Sequence, residues 1–171
     1  IVVEGRLLQG PNAIAGEWGH NALPWPRPSE LPGPACYCGR QGCIETWLSG
    51  PALAREAARR LPTGAAAGDA AGVVRRARAG DPAAVAALDD WYDRLARGLA
   101  MVINILDPDV IVLGGGLSGI DETYAEVPRR WGRYVFSDRV DTALRPPVHG
   151  DDSGVLGAAR LWAVDERPAS A

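Results

Sequence analysis

Residues 10 to 43 show no sustained helical or strand periodicity, and Pro24, Pro26, Pro28, Pro32 and Pro34 forbid a helix there. A loop of that length inside a compact domain needs a staple or a function. The stretch also holds all three cysteines of the chain, Cys36, Cys38 and Cys43, together with His20, one of its two histidines. One imidazole and three thiolates form a complete tetrahedral Zn2+ set, and Gly39 and Gly42 let the backbone turn tightly around a metal. The alternative is three buried or free cysteines beside an unrelated histidine, and the proline-rich surroundings argue against burial. Acidic residues flank the ligands, with Glu17 shortly before His20 and Glu45 shortly after Cys43. Carboxylates beside a metal-ordered loop point to a polar small-molecule site. On spacing alone, Glu45 is equally a first-turn glutamate complementing a helix dipole, and Glu17 equally a solvated loop charge.

With 171 residues, 47% apolar and 23% charged, the chain is long enough for one domain with its own core. A net charge of -3 gives no general attraction to nucleic acid or to an anionic membrane. No apolar run is long enough to span a bilayer, and no charged segment precedes an apolar one in the manner of a secretory signal. Three cysteines cannot all pair internally, so reduced thiolates on a metal in a cytoplasmic setting are expected. The chain opens at Ile1, already inside a strand-like run, and is expected to be a piece of a longer protein.

Ile1–Val3 and Arg6–Leu8, joined at Glu4-Gly5, read as a β-hairpin. Short helices are expected from Ile44 to Leu48, from Gly50-Pro51 to Arg60, and over residues 69 to 79. Asp81-Pro82 starts a long helix that stops at Asp107-Pro108, with Val85, Leu88, Leu95, Leu99, Val102, Ile103 and Leu106 as its buried stripe. Residues 109 to 113 form a continuous apolar run, typical of a strand covered on both faces. Further expectations are a helix over 121 to 133, an edge strand over 145 to 149 interrupted at Pro146-Pro147, and a last helix from Gly154 to Val164. That last helix has Val155, Ala158, Ala159 and Trp162 on one side. The order is that of a layered α/β domain.

Gly114, Gly115 and Gly116 end the 109–113 strand. They expose backbone N–H groups where ligands approach in open α/β sheets, although a plain tight turn is the simpler reading. Asp152 or Ser153 reads as the N-cap of the last helix, and His149 as a structural histidine. The six tryptophans read as packing residues.

Gly16-Glu17-x-Gly19-His20, Cys36-x-Cys38-Gly39-x-x-Gly42-Cys43-x-Glu45 and the Asp107-to-Gly116 segment resemble the ROK family of sugar kinases and repressors over nearly the whole chain. Gly16 to Trp25 and Cys36 to Thr46 are most similar to its bacterial fructokinase branch. The resemblance implies an actin-like, ribonuclease-H-like fold, of which this chain, with its zinc-stapled loop 16–45, is the C-terminal lobe. It implies ATP with Mg2+ as phosphoryl donor and fructose, with mannose as the alternative, as acceptor. Glu17, His20 and Glu45 would hold sugar hydroxyls, His20 also binding zinc. The glycines 114 to 116 would lie against the nucleotide, and a homodimer is the expected assembly.

The family's N-terminal lobe has an Asp-x-Gly-Gly-Thr phosphate loop and an Asn-Asp pair whose aspartate is the general base. Neither pattern occurs in this chain. Alone, the chain is therefore expected to be inactive in phosphoryl transfer, with no catalytic base of its own. A ROK-type repressor lobe is the second expectation, with nucleic acid as a partner only in that case. A glucokinase or N-acetylhexosamine kinase of the same family is another. A zinc-ribbon nucleic-acid module fits poorly, because the chain is acidic and its cysteine loop lacks a basic stripe.

Overall fold

A computed structural model of the protein describes residues 1–61 and 68–160. Its centre is the long helix expected after Asp81. For reference, the elements in chain order are β1 (Val2–Val3), β2 (Arg6–Leu7), α1 (Glu45–Leu48), α2 (Gly50–Arg60), α3 (Ala70–Arg78), α4 (Pro82–Leu106), β3 (Val110–Val112), α5 (Thr123–Glu126), α6 (Pro128–Trp131), β4 (Ala143–Arg145) and α7 (Ser153–Arg160).

Helix α4 begins where Asp81 Oδ1 accepts the backbone N–H groups of Ala83 at 2.9 Å and Ala84 at 3.2 Å. It ends at Asp107, whose φ of 43° is left-handed, just before Pro108. Leu88, Leu95, Leu99 and Ile103 of the expected stripe are buried. Val85 and Leu106, near the ends, are exposed. Between them the stripe is an underestimate, because residues 91 to 100 are buried all round. Helices α1, α2, α3 and α6 all pack on α4, which makes it a core helix and not a surface one.

The hairpin forms as expected, with Val2 opposite Leu7 and a turn through Glu4 and Gly5, both at positive φ. Strand β3 pairs in parallel with β4, Ile111 standing opposite Leu144. Here the expectations need correction. The 109–113 strand is not covered on both faces: Val110 and Val112 are 49% and 57% exposed, while Ile111 and Leu113 turn toward the core. Its pairing is with β4 alone among the described residues, and the face that carries Val110 and Val112 has no described cover. The strand expected at 145–149 lies at Ala143–Arg145, ahead of Pro146-Pro147, where N–H groups are present for a ladder. The single helix expected over 121–133 is split into α5 and α6, because Pro128 has no N–H to continue the first. The last helix runs from Ser153 to Arg160. None of its described residues is buried, and Trp162 lies outside the described residues. Among the described residues no helix is long and apolar enough to cross a membrane.

Candidate functional site

The proline-rich loop is folded by a few backbone bonds. Leu23 N–H donates to Gly42 O at 3.0 Å and Ile44 N–H to Asn21 O at 2.9 Å, so the chain leaving His20 runs antiparallel to the chain approaching Glu45. Cys36 N–H donates to Arg40 O at 2.8 Å, closing the Cys36–Arg40 turn. Gly33, at φ +85°, permits the crossing behind it: a Cβ there would lie 2.5 Å from Gly42 Cα.

These bonds bring the four expected metal ligands together. One donor atom from each of His20, Cys36, Cys38 and Cys43 lies within 4.8 Å of the others, and Cys36 and Cys43, against expectation, are buried. Cys36 Sγ is 3.5 Å from His20 Nδ1, and Cys38 Sγ is 3.6 Å from Cys43 Sγ. A tetrahedral zinc with Zn–S near 2.3 Å has S···S edges of about 3.8 Å and S···N edges of about 3.5 Å, close to these two separations. The Arg40 backbone N–H brings the Cys38 thiol down to about 7, while burial pushes Cys43 up to about 12. A dication among them would ionise both.

His20 points Nδ1 at this quartet and leaves Nε2 facing the other way. There Nε2 lies 2.8 Å from Tyr37 Oη and 4.0 Å from Glu45 Oε2. Glu45 is half-buried at the start of α1, and its Oε1 lies 3.8 Å from Cys36 Sγ. Glu17 precedes the Trp18–His20 3₁₀ turn. It is exposed, and its carboxylate makes no hydrogen bond or ion pair among the described residues. The structure therefore joins His20 and Glu45 at the cluster of His20, Cys36, Cys38 and Cys43, with Glu17 at the head of the same turn. Tyr37, as a partner of His20, was not foreseen.

A second anchor was also missed. Glu30 is 4% exposed, yet accepts from Arg97 Nη1 and Nη2 at 2.8 and 2.7 Å, from Arg94 Nε at 2.8 Å and from the Arg27 N–H at 2.8 Å. Burial alone would raise its carboxyl, but the Arg97 and Arg94 hydrogen bonds bring it down to about 2. Arg27 bridges to Asp90 at 2.8 Å and to the buried Asp93 at 2.7 Å, and Arg97 Nη1 also donates to Trp25 O. The loop is thus clamped to α4 by charge at residues 25–30, apart from the cysteines. The available signal was Asp93, Arg94 and Arg97 set inside an otherwise apolar helical run.

Gly114, Gly115 and Gly116 are exposed after β3. They line a hollow of about 290 Å³ together with Trp18, Trp91, Leu95 and Leu117. Gly116 and Leu117 also border a larger hollow of about 870 Å³ between the start of α2 and α3, with Val74, Arg75 and Arg78 on its wall. The glycines are not in the metal-ligand cluster. They form a separate, neighbouring concavity, connected to it through Trp18.

The ROK family model matches residues 1–165. The chain belongs to the ROK family. This ROK chain is 36% identical over 176 residues to an N-acetyl-D-glucosamine kinase of Pectobacterium atrosepticum, covering 96% of this chain and 55% of that protein. It is 33% identical over 163 residues to the N-acetylgalactosamine kinase AgaK of a Shewanella species, covering 94% and 52%. Among solved structures it is similar to a ROK family glucokinase from Streptomyces griseus in complex with glucose and AMPPNP. That match has a TM-score of 0.80 at 28% identity and covers 94% of this chain and 55% of the other. A ROK hexokinase from Thermus thermophilus gives a TM-score of 0.73 at 34% identity, covering 93% and 52%. These likenesses support the α/β fold of ROK sugar kinases. The ROK chain spans about half the length of the curated relatives it matches. The relatives named here are kinases of N-acetylated hexosamines, and the fructokinase-type acceptor expected from residues 16–25 and 36–46 is not what their names state.

Proposed function

We propose that this chain is the sugar-binding, C-terminal lobe of an ATP-dependent hexose kinase whose acceptor is an aldohexose, N-acetyl-D-glucosamine first and glucose second. The observation that carries this reading is the convergence of Glu45 and the outward Nε2 of His20 at the metal-ligand quartet, one tryptophan away from an exposed glycine turn. Named relatives and the sugar complex of a structural neighbour support the choice of acceptor.

The residues His20, Cys36, Cys38 and Cys43 would hold Zn2+, which when bound fixes the loop and ionises the thiolates. With Nδ1 committed there, His20 keeps its proton on Nε2, where a sugar hydroxyl replaces Tyr37 Oη as the acceptor. Glu45, and Glu17 from the head of the turn, accept from other hydroxyls, and charged acceptors make the stronger bonds. Together they hold the sugar so that one hydroxyl faces the incoming phosphoryl group. Backbone N–H groups of Gly114–Gly116 sit against the nucleotide, with the α2–α3 hollow seating its base. Mg2+ accompanies ATP. The base that takes the hydroxyl proton is placed in the part of the relatives that this chain does not span. A homodimer in a reducing cytoplasm completes the reading.

A ROK transcriptional regulator homologous to E. coli MLC is also similar, with a TM-score of 0.69 at 27% identity. A sugar-sensing repressor lobe is therefore the second reading. A coupled ATPase assay of the full-length protein with N-acetylglucosamine separates the two. Sugar-dependent ADP release, absent from the 171-residue chain alone, supports the kinase. Sugar binding without turnover, together with sequence-specific DNA binding, supports the repressor.

A further inference from the structure

Gly98 lies in the buried middle of α4, where glycine is a poor helix former. An alanine methyl there would press on its neighbours. A Cβ at Gly98 would come 3.3 Å from Trp18 Cη2 and 3.4 Å from Trp18 Cζ3, with Leu48 Cδ1 at 3.8 Å. The indole is seated on the helix backbone with no slack on that side. Its chain position matters as much: Trp18 follows Glu17 and opens the short turn that ends in His20.

The same indole also lines the 290 Å³ hollow, together with Leu113 to Leu117, Trp91 and Leu95. Trp91 is itself fixed, donating from Nε1 to Leu48 O at 2.9 Å. A group entering the hollow therefore meets the Trp18 ring, which is seated on α4 and whose backbone is continuous with Glu17 and His20.

We infer that Trp18 is a positioning residue that couples the two substrate sites, transmitting occupancy of the glycine-lined hollow to Glu17 and His20. The inference rests on the kinase reading above, which supplies the two ligands. A tryptophan that merely packs would support the fold without linking one ligand's affinity to the other's.

The test is calorimetric titration of the full-length protein with N-acetylglucosamine, with and without AMPPNP and Mg2+. In the unsubstituted protein AMPPNP should tighten sugar binding about five-fold or more. Gly98→Ala, whose methyl displaces the ring, and Trp18→Phe, which shortens it, should each bring that ratio to about one while both ligands still bind singly. Should Gly98→Ala fail to fold, Trp18→Phe decides alone. A ratio of one in the unsubstituted protein, or an undiminished ratio in a folded variant, overturns the coupling. An unsubstituted protein that binds neither ligand overturns the kinase reading and the coupling with it, a result distinct from loss of the ratio alone.

Discussion

Arg97 grips both carboxylate oxygens of Glu30, at 2.7 and 2.8 Å, with the two side chains 1% and 2% accessible to solvent. The pair joins the middle of the core helix to the middle of the proline-rich loop. The charges are sequestered together, so loss of Arg97 leaves the buried Glu30 with Arg94 as its one cationic side-chain partner, and loss of Glu30 leaves Arg94 and Arg97 short of an anion in a dry site. Glu30→Ala or Arg97→Ala should therefore destabilise the chain by about 3–5 kcal/mol, read by denaturant unfolding. A cost below about 1 kcal/mol would place the pair among ordinary surface bridges.

The same carboxyl sets an acid limb. Its value is about 2 in the folded chain and 4.5 in the ordinary state, so the stabilisation is present in full above 4.5. It is lost as pH falls from 4.5 toward 2. Glu30→Gln should flatten the stability profile across that window and leave its slope above pH 5 unchanged. An unaltered acid limb in the variant would contradict the assignment.

Metal removal should act on one end of the loop and not the other. One zinc per chain is expected on metal analysis. Chelation should raise hydrogen exchange over residues 36–43, whose order depends on the ligand quartet. Residues 25–30, clamped to α4 by Glu30 and Arg27, should keep their protection. Equal loss across the whole loop would mean the ionic clamp is itself dependent on the metal. A folded, zinc-free chain with a disulfide among these cysteines would end the zinc reading.

The contrast between those two anchors marks what could be read from the sequence. Cys36, Cys38 and Cys43 are close in the chain, and thiols so spaced suggest a metal site whatever the fold. Asp81-Pro82 and Glu4-Gly5 are equally local signals, and α4 and the hairpin formed where they indicated. Glu30 has no such signature: its partners stand 64 and 67 positions away, and only the packing of the loop on α4 brings them together. Tyr37 and Gly98 were silent for the same reason, since each gains meaning from a neighbour distant in sequence. The β3 run was misread because an apolar strand reports what it can bury, and here Val110 and Val112 have no described cover. The clustering of His20, Cys36, Cys38 and Cys43, with Glu45 beside them, was legible, whereas an acceptor sugar depends on shape beyond these motifs.

Removing a sugar contact should separate the substrates. In the full-length enzyme, Glu45→Gln should raise the sugar KM by about ten-fold or more, the effect of losing a charged acceptor worth about 1.5–3 kcal/mol. The ATP KM should change far less, because the glycine turn is a separate concavity. Equal increases in both would point to a misfolded loop.

The most direct measurement is kcat/KM of the full-length protein for N-acetyl-D-glucosamine, glucose, mannose and fructose under saturating Mg-ATP. N-acetyl-D-glucosamine should lead, glucose should follow, and fructose should trail by about ten-fold or more, a gap of about 1.4 kcal/mol in transition-state binding. A fructose preference would overturn the acceptor assignment and leave the family standing. No ATP-dependent phosphorylation of any of the four sugars would contradict the kinase itself.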